Sequence, residues 1–275
     1  MKFIRSFLVR RMPAVFARKL KRIYYPWLLR RFPEEKWPFS PIVKRLLKPG
    51  DCAVDAGANV GYVTRLLSRW VTPSGFVNSF EPVPETFEWL AECVRKLRLD
   101  NVRLFNCGLS SAARSAVMGI PRYASGGENL YESRVVEEGQ GQRFSRTVEV
   151  NLRVLDDAMK DADRPISFIK IDVEGHEWQA IQGGRGVIAR DKPALLIEVR
   201  DNPDQPGSDA WHLFNLLSGM GYRSFLLETG RLIERRAGDQ AGDFFFLQPH
   251  HMEAVRDWIR VRGQPDRSPL PATPQ

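Results

Sequence analysis

A chain of 275 residues with 43% hydrophobic content is long enough to bury one αβ core as a single large domain. Its three cysteines (Cys52, Cys93 and Cys107) and four histidines have no metal-type spacing, which argues against a disulfide framework or a structural zinc site and for buried free thiols. The net charge of +8 is uneven: residues 1–48 hold fourteen Lys or Arg against Glu34 and Glu35, whereas the remainder carries 27 basic and 31 acidic residues, so the body is not expected to bind nucleic acid.

The leader, residues 1–48, places Phe3, Ile4, Phe7 and Leu8 at helical spacing before Pro13. A second apolar set follows, Val15, Phe16, Leu20, Ile23, Tyr24, Trp27 and Leu28, interleaved with basic residues. Two readings fit this pattern. Residues 1–31 lie as a basic amphipathic segment on an anionic membrane face, or the apolar stripe packs on the domain while the charges face water. No apolar run approaches the length of a transmembrane helix, and Ser6–Val9 is too short for a signal-peptide core. The expected location is cytoplasmic, peripheral at the inner membrane face in the first reading.

From residue 49 the pattern predicts an α/β domain reaching to about residue 250, with a doubly wound, mostly parallel, seven-stranded Rossmann-like sheet. Strands are expected near 51–56, 76–81, 102–107, 166–171 and 193–199, and helices near 60–71, 84–98, 176–190 and 208–219. Tyr222–Leu227 and Asp243–Leu247 read as a closing antiparallel pair. Residues 114–155 interrupt the rhythm as a β insertion, a β-hairpin or a pair of edge strands, with alternating runs Ala116–Ile120 and Thr147–Val154 around a mobile loop bearing Gly126, Gly127, Gly139 and Gly141. Residues 251–275 read as a helix end and a proline-bearing disordered tail from about Gly263.

The chemistry begins in Val54-Asp55-Ala56-Gly57-Ala58-Asn59-Val60-Gly61, a strand, a glycine turn and a helix start that let a ligand approach bare backbone. Asn59 stands where a dinucleotide fingerprint needs its second glycine, and no Gly-Lys-Ser/Thr follows for a phosphate loop. Asp55 would repel a pyrophosphate and suit a cationic cofactor such as S-adenosylmethionine. Glu81, ending the next strand, is placed to accept both hydroxyls of an adenosine ribose. Asp172, Glu174 and His176 cluster beyond the strand Phe168–Ile171, and Glu198 ends its neighbour. Either His176 or Glu174 can serve as general base; His176 equally reads as a helix-start residue touching the acceptor. Asp172 suits the methionine amino group. Lys170 would neutralise this acidic cluster or snorkel to solvent at the sheet edge. Magnesium on Asp172, Glu174 and Glu198 is the lesser reading.

Six segments, in order, resemble the FkbM-type family of class I S-adenosylmethionine-dependent methyltransferases: Val54–Tyr62, Phe80-Glu81-Pro82, Asn106–Ser110, Leu155-Asp156-Asp157, Ile169–Glu177 and Leu196–Val199. Lys170-Ile171-Asp172-Val173-Glu174-Gly175 is the most specific of them. The resemblance spans about residues 50 to 230. It implies an O-methyltransferase acting on a hydroxyl, often on sugars of glycans, glycolipids or glycosylated metabolites. The cofactor would then meet Asp55, Gly57, Asn59, Gly61, Glu81, Asn106, Cys107 and Asp172. Lys170, Glu198, Tyr123 and Arg134, with Arg122 and Tyr131, are the candidates for acceptor contact. Two other functions compete. An NAD-dependent oxidoreductase is opposed by Asn59 and by the lack of a Tyr-x-x-x-Lys pair, and a non-catalytic adapter using the basic leader is opposed by the intact Asp55 and Glu81.

Overall fold

The computed structural model describes residues 14–123, 127–136 and 144–263, with the backbone alone for residues 14–18. Leader residues 1–13, most of the insertion's glycine-bearing loop (Gly126, Gly139, Gly141) and the expected tail beyond Gly263 lie outside these.

The chain opens with α1 (Ala14–Arg31) and α2 (Ser40–Leu46), then enters the alternating body through β1 (Cys52–Ala56), α3 (Tyr62–Val71), β2 (Phe76–Phe80), α4 (Pro84–Leu97) and β3 (Val102–Phe105). All five β1 residues are buried, as a central parallel strand covered on both faces requires. In α3 the buried Val63, Leu66, Leu67, Trp70 and Val71 follow the 3, 4, 7, 8 spacing of one helical face. The insertion supplies β4 (Gly108–Leu109), β5 (Arg114–Ile120), β6 (Arg134–Val135) and β7 (Arg146–Arg153), followed by α5 (Leu155–Ala158). The body resumes with β8 (Ile166–Ile171), α6 (Glu177–Gly183), α7 (Arg185–Asp191), β9 (Ala194–Glu198) and α8 (Asp209–Gly219). It closes with β10 (Arg223–Glu228), β11 (Arg231–Glu234), β12 (Asp243–Leu247), α9 (Pro249–Ala254) and β13 (Ile259–Arg260).

The main sheet runs β3-β2-β1-β8-β9-β12-β10-β11-β13. Strands β3, β2, β1, β8 and β9 are parallel, and β12 and β10 follow as the expected antiparallel pair. These are the seven predicted strands, but the described sheet has nine. Thr229 (φ 49°) and Gly230 (φ 80°) form a left-handed two-residue turn that folds β11 back on β10, and β13 pairs with β11. The boundary expected at residue 250 therefore falls inside α9, and the buried His251, Val255 and Trp258 pack with the domain. The single helix expected over 176–190 divides at Gly184. Its neighbour Gly183 lies so close to the Ser110 carbonyl that an added Cβ would sit 2.0 Å from that oxygen.

The pleat sorts the core into two layers. Val54, Ile169 and Leu195 face the layer under α6, α7 and α8, while Ala53, Phe168 and Leu196 face the layer under α2 and α3. The insertion's two expected runs pair antiparallel as β5 and β7, but in a separate four-stranded sheet, β4-β7-β5-β6, rather than as edge strands of the main one. A third cluster joins it to the leader: Tyr25 and Leu29 of α1 pack with Trp89 and Cys93 of α4 and with Met118, Leu130 and Leu152 of the insertion. One face of α1 therefore packs on the domain. Lys21 also stands over the Trp89 ring at 4.3 Å, and Arg22 pairs with Glu88 at 2.6 Å. Because Leu29 is only 2% exposed, Leu29→Ala is expected to cost about 2–5 kcal/mol. Urea unfolding of both proteins checks this; an unchanged midpoint would mean that α1 unfolds independently of the domain.

Candidate active site

The cleft follows from strand register. Ala56 pairs with Phe80 on one side and Ile171 on the other, so the chain leaves the three strands together at their carboxyl ends. The next residues are Gly57, Glu81 and Asp172. The strand order reverses here, since β2 and β3 extend one way from β1 and β8 lies on the other side. Loops diverging from such a point leave a crevice. It measures about 310 Å³, and its walls include Gly57, Asn59, Glu81, Lys170, Asp172, Glu174, His176 and Tyr131.

Gly57 takes φ 76°, and a Cβ there would lie 1.8 Å from the Asp172 carbonyl oxygen, so this crossing of loops admits only glycine. Asn59 has φ 50°, a left-handed conformation that asparagine tolerates, and its side chain accepts from the Val60 N–H at 2.8 Å. Its own N–H donates to Glu81 Oε2 at 3.0 Å, and the Val83 N–H donates to Glu81 Oε1 at 3.0 Å. The Glu81 carboxylate is thereby fixed at the cleft wall with lone pairs left on both oxygens. Burial pushes its pKa up to about 7, against the opposing pull of those two N–H groups.

Lys170 Nζ lies 3.1 Å from Asp172 Oδ2, 3.6 Å from Asp55 Oδ1 and 3.2 Å from the Gly57 carbonyl, to which it donates. Burial opposes its charge, but Asp172 and Asp55 outweigh it and hold the ammonium above its ordinary pKa. Across the loop, Glu174 takes φ 60° and pairs with Arg200, which also meets Glu198 at 3.1 Å. Burial raises Glu174 to about 7 and raises Glu198 as well. One oxygen each of Asp172, Glu174 and Glu198 lie within 4.8 Å of one another, a hard-oxygen set that also has Lys170 and Arg200 against it. His176 ends the loop, with Nε2 3.0 Å from Ser110 Oγ on β4's flank. Burial, aided by Arg114, lowers the imidazole pKa and favours its neutral form.

Several predicted site residues sit elsewhere. Asp55 is fully buried and faces α3, where Thr64 Oγ1 donates to it at 2.6 Å; it shares the Ala53 face of β1 and supports the cleft from beneath. Gly61 faces α4, where a Cβ would meet Leu90 Cδ1 at 2.8 Å, so its smallness serves helix packing. Cys107 lies in the core, its thiol pushed by burial to about 11. Asn106 braces the Glu81 loop from outside, donating to the carbonyls of Glu81 at 2.9 Å and Pro82 at 3.2 Å. Glu198 borders the adjoining groove with Arg200. Tyr123, 41% exposed, and Arg134, over the Phe144 ring, do not line the cleft, and Arg122 donates to Ser145 Oγ. Tyr131 does line it and donates to the Tyr25 hydroxyl at 2.9 Å. Sequence reasoning gave no role to Ser110 or Arg200; their one signal is that Ser110 closes one quoted motif and Arg200 follows another.

The residues fit S-adenosylmethionine. Glu81 offers two fixed acceptor oxygens to a ribose, Gly57 presents bare backbone, and Asp172 adds negative charge for a cationic group.

The methyltransferase FkbM domain model matches residues 55–224, more than half of the chain. Among solved structures, methyltransferase FkbM from Methylobacillus flagellatus KT is 20% identical, covering 72% of this chain and 44% of its own, with a TM-score of 0.47. This chain thus spans less than half the length of that protein. An S-adenosylmethionine-dependent O-methyltransferase from Thermotoga maritima is 15% identical over 76% of this chain and 64% of its own, with a TM-score of 0.40. Aeropyrum pernix fibrillarin, with natively bound S-adenosylmethionine, is 12% identical over 73% and 67%, with a TM-score of 0.43. No curated protein matches the chain. With the family model covering the glycine loop, the Glu81 strand end and the Asp172–His176 loop, the chain belongs to the FkbM methyltransferase family.

Proposed function

We propose that the protein is an S-adenosylmethionine-dependent O-methyltransferase whose acceptor is a hydroxyl of a sugar, carried on a glycan, glycolipid or glycosylated metabolite. The observation that carries this reading is that His176, held 3.0 Å from Ser110 Oγ, and Glu81 line one cleft, where burial favours the neutral imidazole. When bound, the cofactor supplies a methyl carbon activated by a sulfonium, with a neutral thioether as leaving group, so no general acid is needed. The acceptor hydroxyl must lose its proton, which calls for a base of near-neutral pKa. In the tautomer whose Nε2–H donates to Ser110 Oγ, 3.0 Å away, Nδ1 of His176 keeps the lone pair that takes this proton. Asp172 and Glu174 accept hydrogen bonds from neighbouring hydroxyls, and Tyr62 and Tyr131 add aromatic surface suited to a sugar ring.

Two measurements test the reading. Calorimetric titration with S-adenosylhomocysteine is expected to give binding that Glu81→Gln weakens by at least about tenfold. Wild-type affinity should also fall as pH drops through about 7, where Glu81 takes up a proton and loses an acceptor site, while the Gln variant shows no such step. Absence of binding by the folded wild type would overturn the proposal and favour a non-catalytic adapter. Second, His176→Gln is expected to lower kcat on a sugar acceptor by about 10²–10⁴-fold with cofactor affinity retained. The wild-type acid limb should lie below the ordinary imidazole value, because burial lowers this pKa. If Glu174→Gln abolishes turnover while His176→Gln does not, Glu174 is the base.

A further inference from the structure

We propose that the outward face of α1 is a membrane-contact surface that seats the protein on an anionic lipid headgroup layer. Helix α1 is apolar on two opposite sides. Tyr25 and Leu29 face the domain and are 6% and 2% exposed. Leu20, Ile23 and Trp27 face away, 49%, 65% and 49% exposed, at the 3 and 7 spacing of a single stripe. Seven large hydrophobic side chains are exposed among the described residues, and these three share one helix face, so the exposure is concentrated.

The charge around the stripe selects the occupant. Residues 14–31 carry six Lys or Arg and no Asp or Glu. Lys19 and Arg31 are exposed beside the stripe, and the Arg31 guanidinium lies 4.6 Å from the Trp27 ring centroid. A tryptophan flanked by cations sits well at headgroup level, with Leu20 and Ile23 reaching the acyl boundary and the basic heads meeting phosphates. A second copy of the helix would bring like charges together, which disfavours self-association through this face. Among the described residues no helix is long and apolar enough to cross a membrane, so the contact is peripheral.

The opposite side of α1 reaches the cleft. Tyr25 accepts from Tyr131, which lines the cleft, and the Pro33 carbonyl just after α1 accepts from Tyr62, another lining residue, at 3.2 Å. The outer stripe and part of the cleft wall are thus joined through one helix. On the proposed function this suits an acceptor sugar carried on a lipid; the membrane contact itself does not depend on that reading.

Co-sedimentation of the full chain with vesicles tests the proposal. Binding is expected to phosphatidylcholine vesicles containing phosphatidylglycerol, to weaken with salt, and to be much lower on phosphatidylcholine alone. The double variant Ile23→Glu, Trp27→Glu should reduce partitioning by at least about tenfold. It should keep the wild-type circular dichroism, urea midpoint and S-adenosylhomocysteine affinity, so that loss of the surface is distinguished from loss of fold or cofactor site. Lys19→Glu with Arg31→Glu should abolish the preference for anionic vesicles while leaving the apolar stripe intact. Wild-type failure to bind, or undiminished binding by the Ile23/Trp27 variant, would overturn the proposal. So would a wild-type dimer that this variant dissociates in the absence of any vesicle binding, which would assign the stripe to a second copy.

Discussion

Lys170 Nζ stands within 3.6 Å of Asp55, Asp172 and the Gly57 carbonyl, at the point where the strand order reverses. A buried ammonium needs compensating charge and acceptors, and here these come from β1, from the loop after β1 and from the loop after β8. The interaction therefore fixes how those two loops leave the sheet. It leaves Asp172 bordering the cleft and holds the Gly57 backbone where a Cβ would strike the Asp172 carbonyl. Removing Lys170 would leave the fully buried Asp55 carboxylate without its cation, at a cost of about 3–5 kcal/mol. The cleft's charged floor and its backbone geometry are thus one feature, built by the central strands.

The apolar wall has another origin. Val60 and Val83 come from the two loops beside Glu81, Met118, Leu130 and Leu152 from the insertion, and all five belong to the cluster that receives Tyr25 and Leu29 of the leader. A basic segment that composition sets apart from the domain is thereby physically continuous with the site. Arg65 of α3 reinforces this junction by donating to the carbonyls of Leu29 and Phe32. A change in the leader can reach the cleft through Tyr25 and Tyr131 without touching the Asp172–His176 loop.

Much of this was legible in the sequence where local pattern dictates structure. The buried strands, the amphipathic α3, the glycine turn and the placing of Glu81, Asp172, Glu174 and His176 at strand ends follow from period and register. The side chain of Asp55 was not legible: β1 is buried on both faces, so its apolar run does not say which layer each residue enters. Only pairing with α3, through Thr64, settles that Asp55 points beneath the cleft. Ser110 and Arg200 were missed for a related reason, since each reaches its partner, His176 or Glu174, across a long-range contact that no local spacing encodes. The insertion's independent sheet likewise depends on Gly108 and Leu109 pairing with Leu152 and Arg153, more than forty residues on. By contrast, β11 had a local signal in the Thr229-Gly230 turn between two alternating runs.

The most direct measurement is a crystal structure of the chain bound to S-adenosylhomocysteine. The expected result places both ribose hydroxyls within about 2.6–3.2 Å of the Glu81 carboxylate, with the nucleoside running past Gly57 toward Asp172. A nucleoside bound away from Glu81, or a cleft that stays closed to it, would contradict the assignment of the strand-reversal crevice as the cofactor seat.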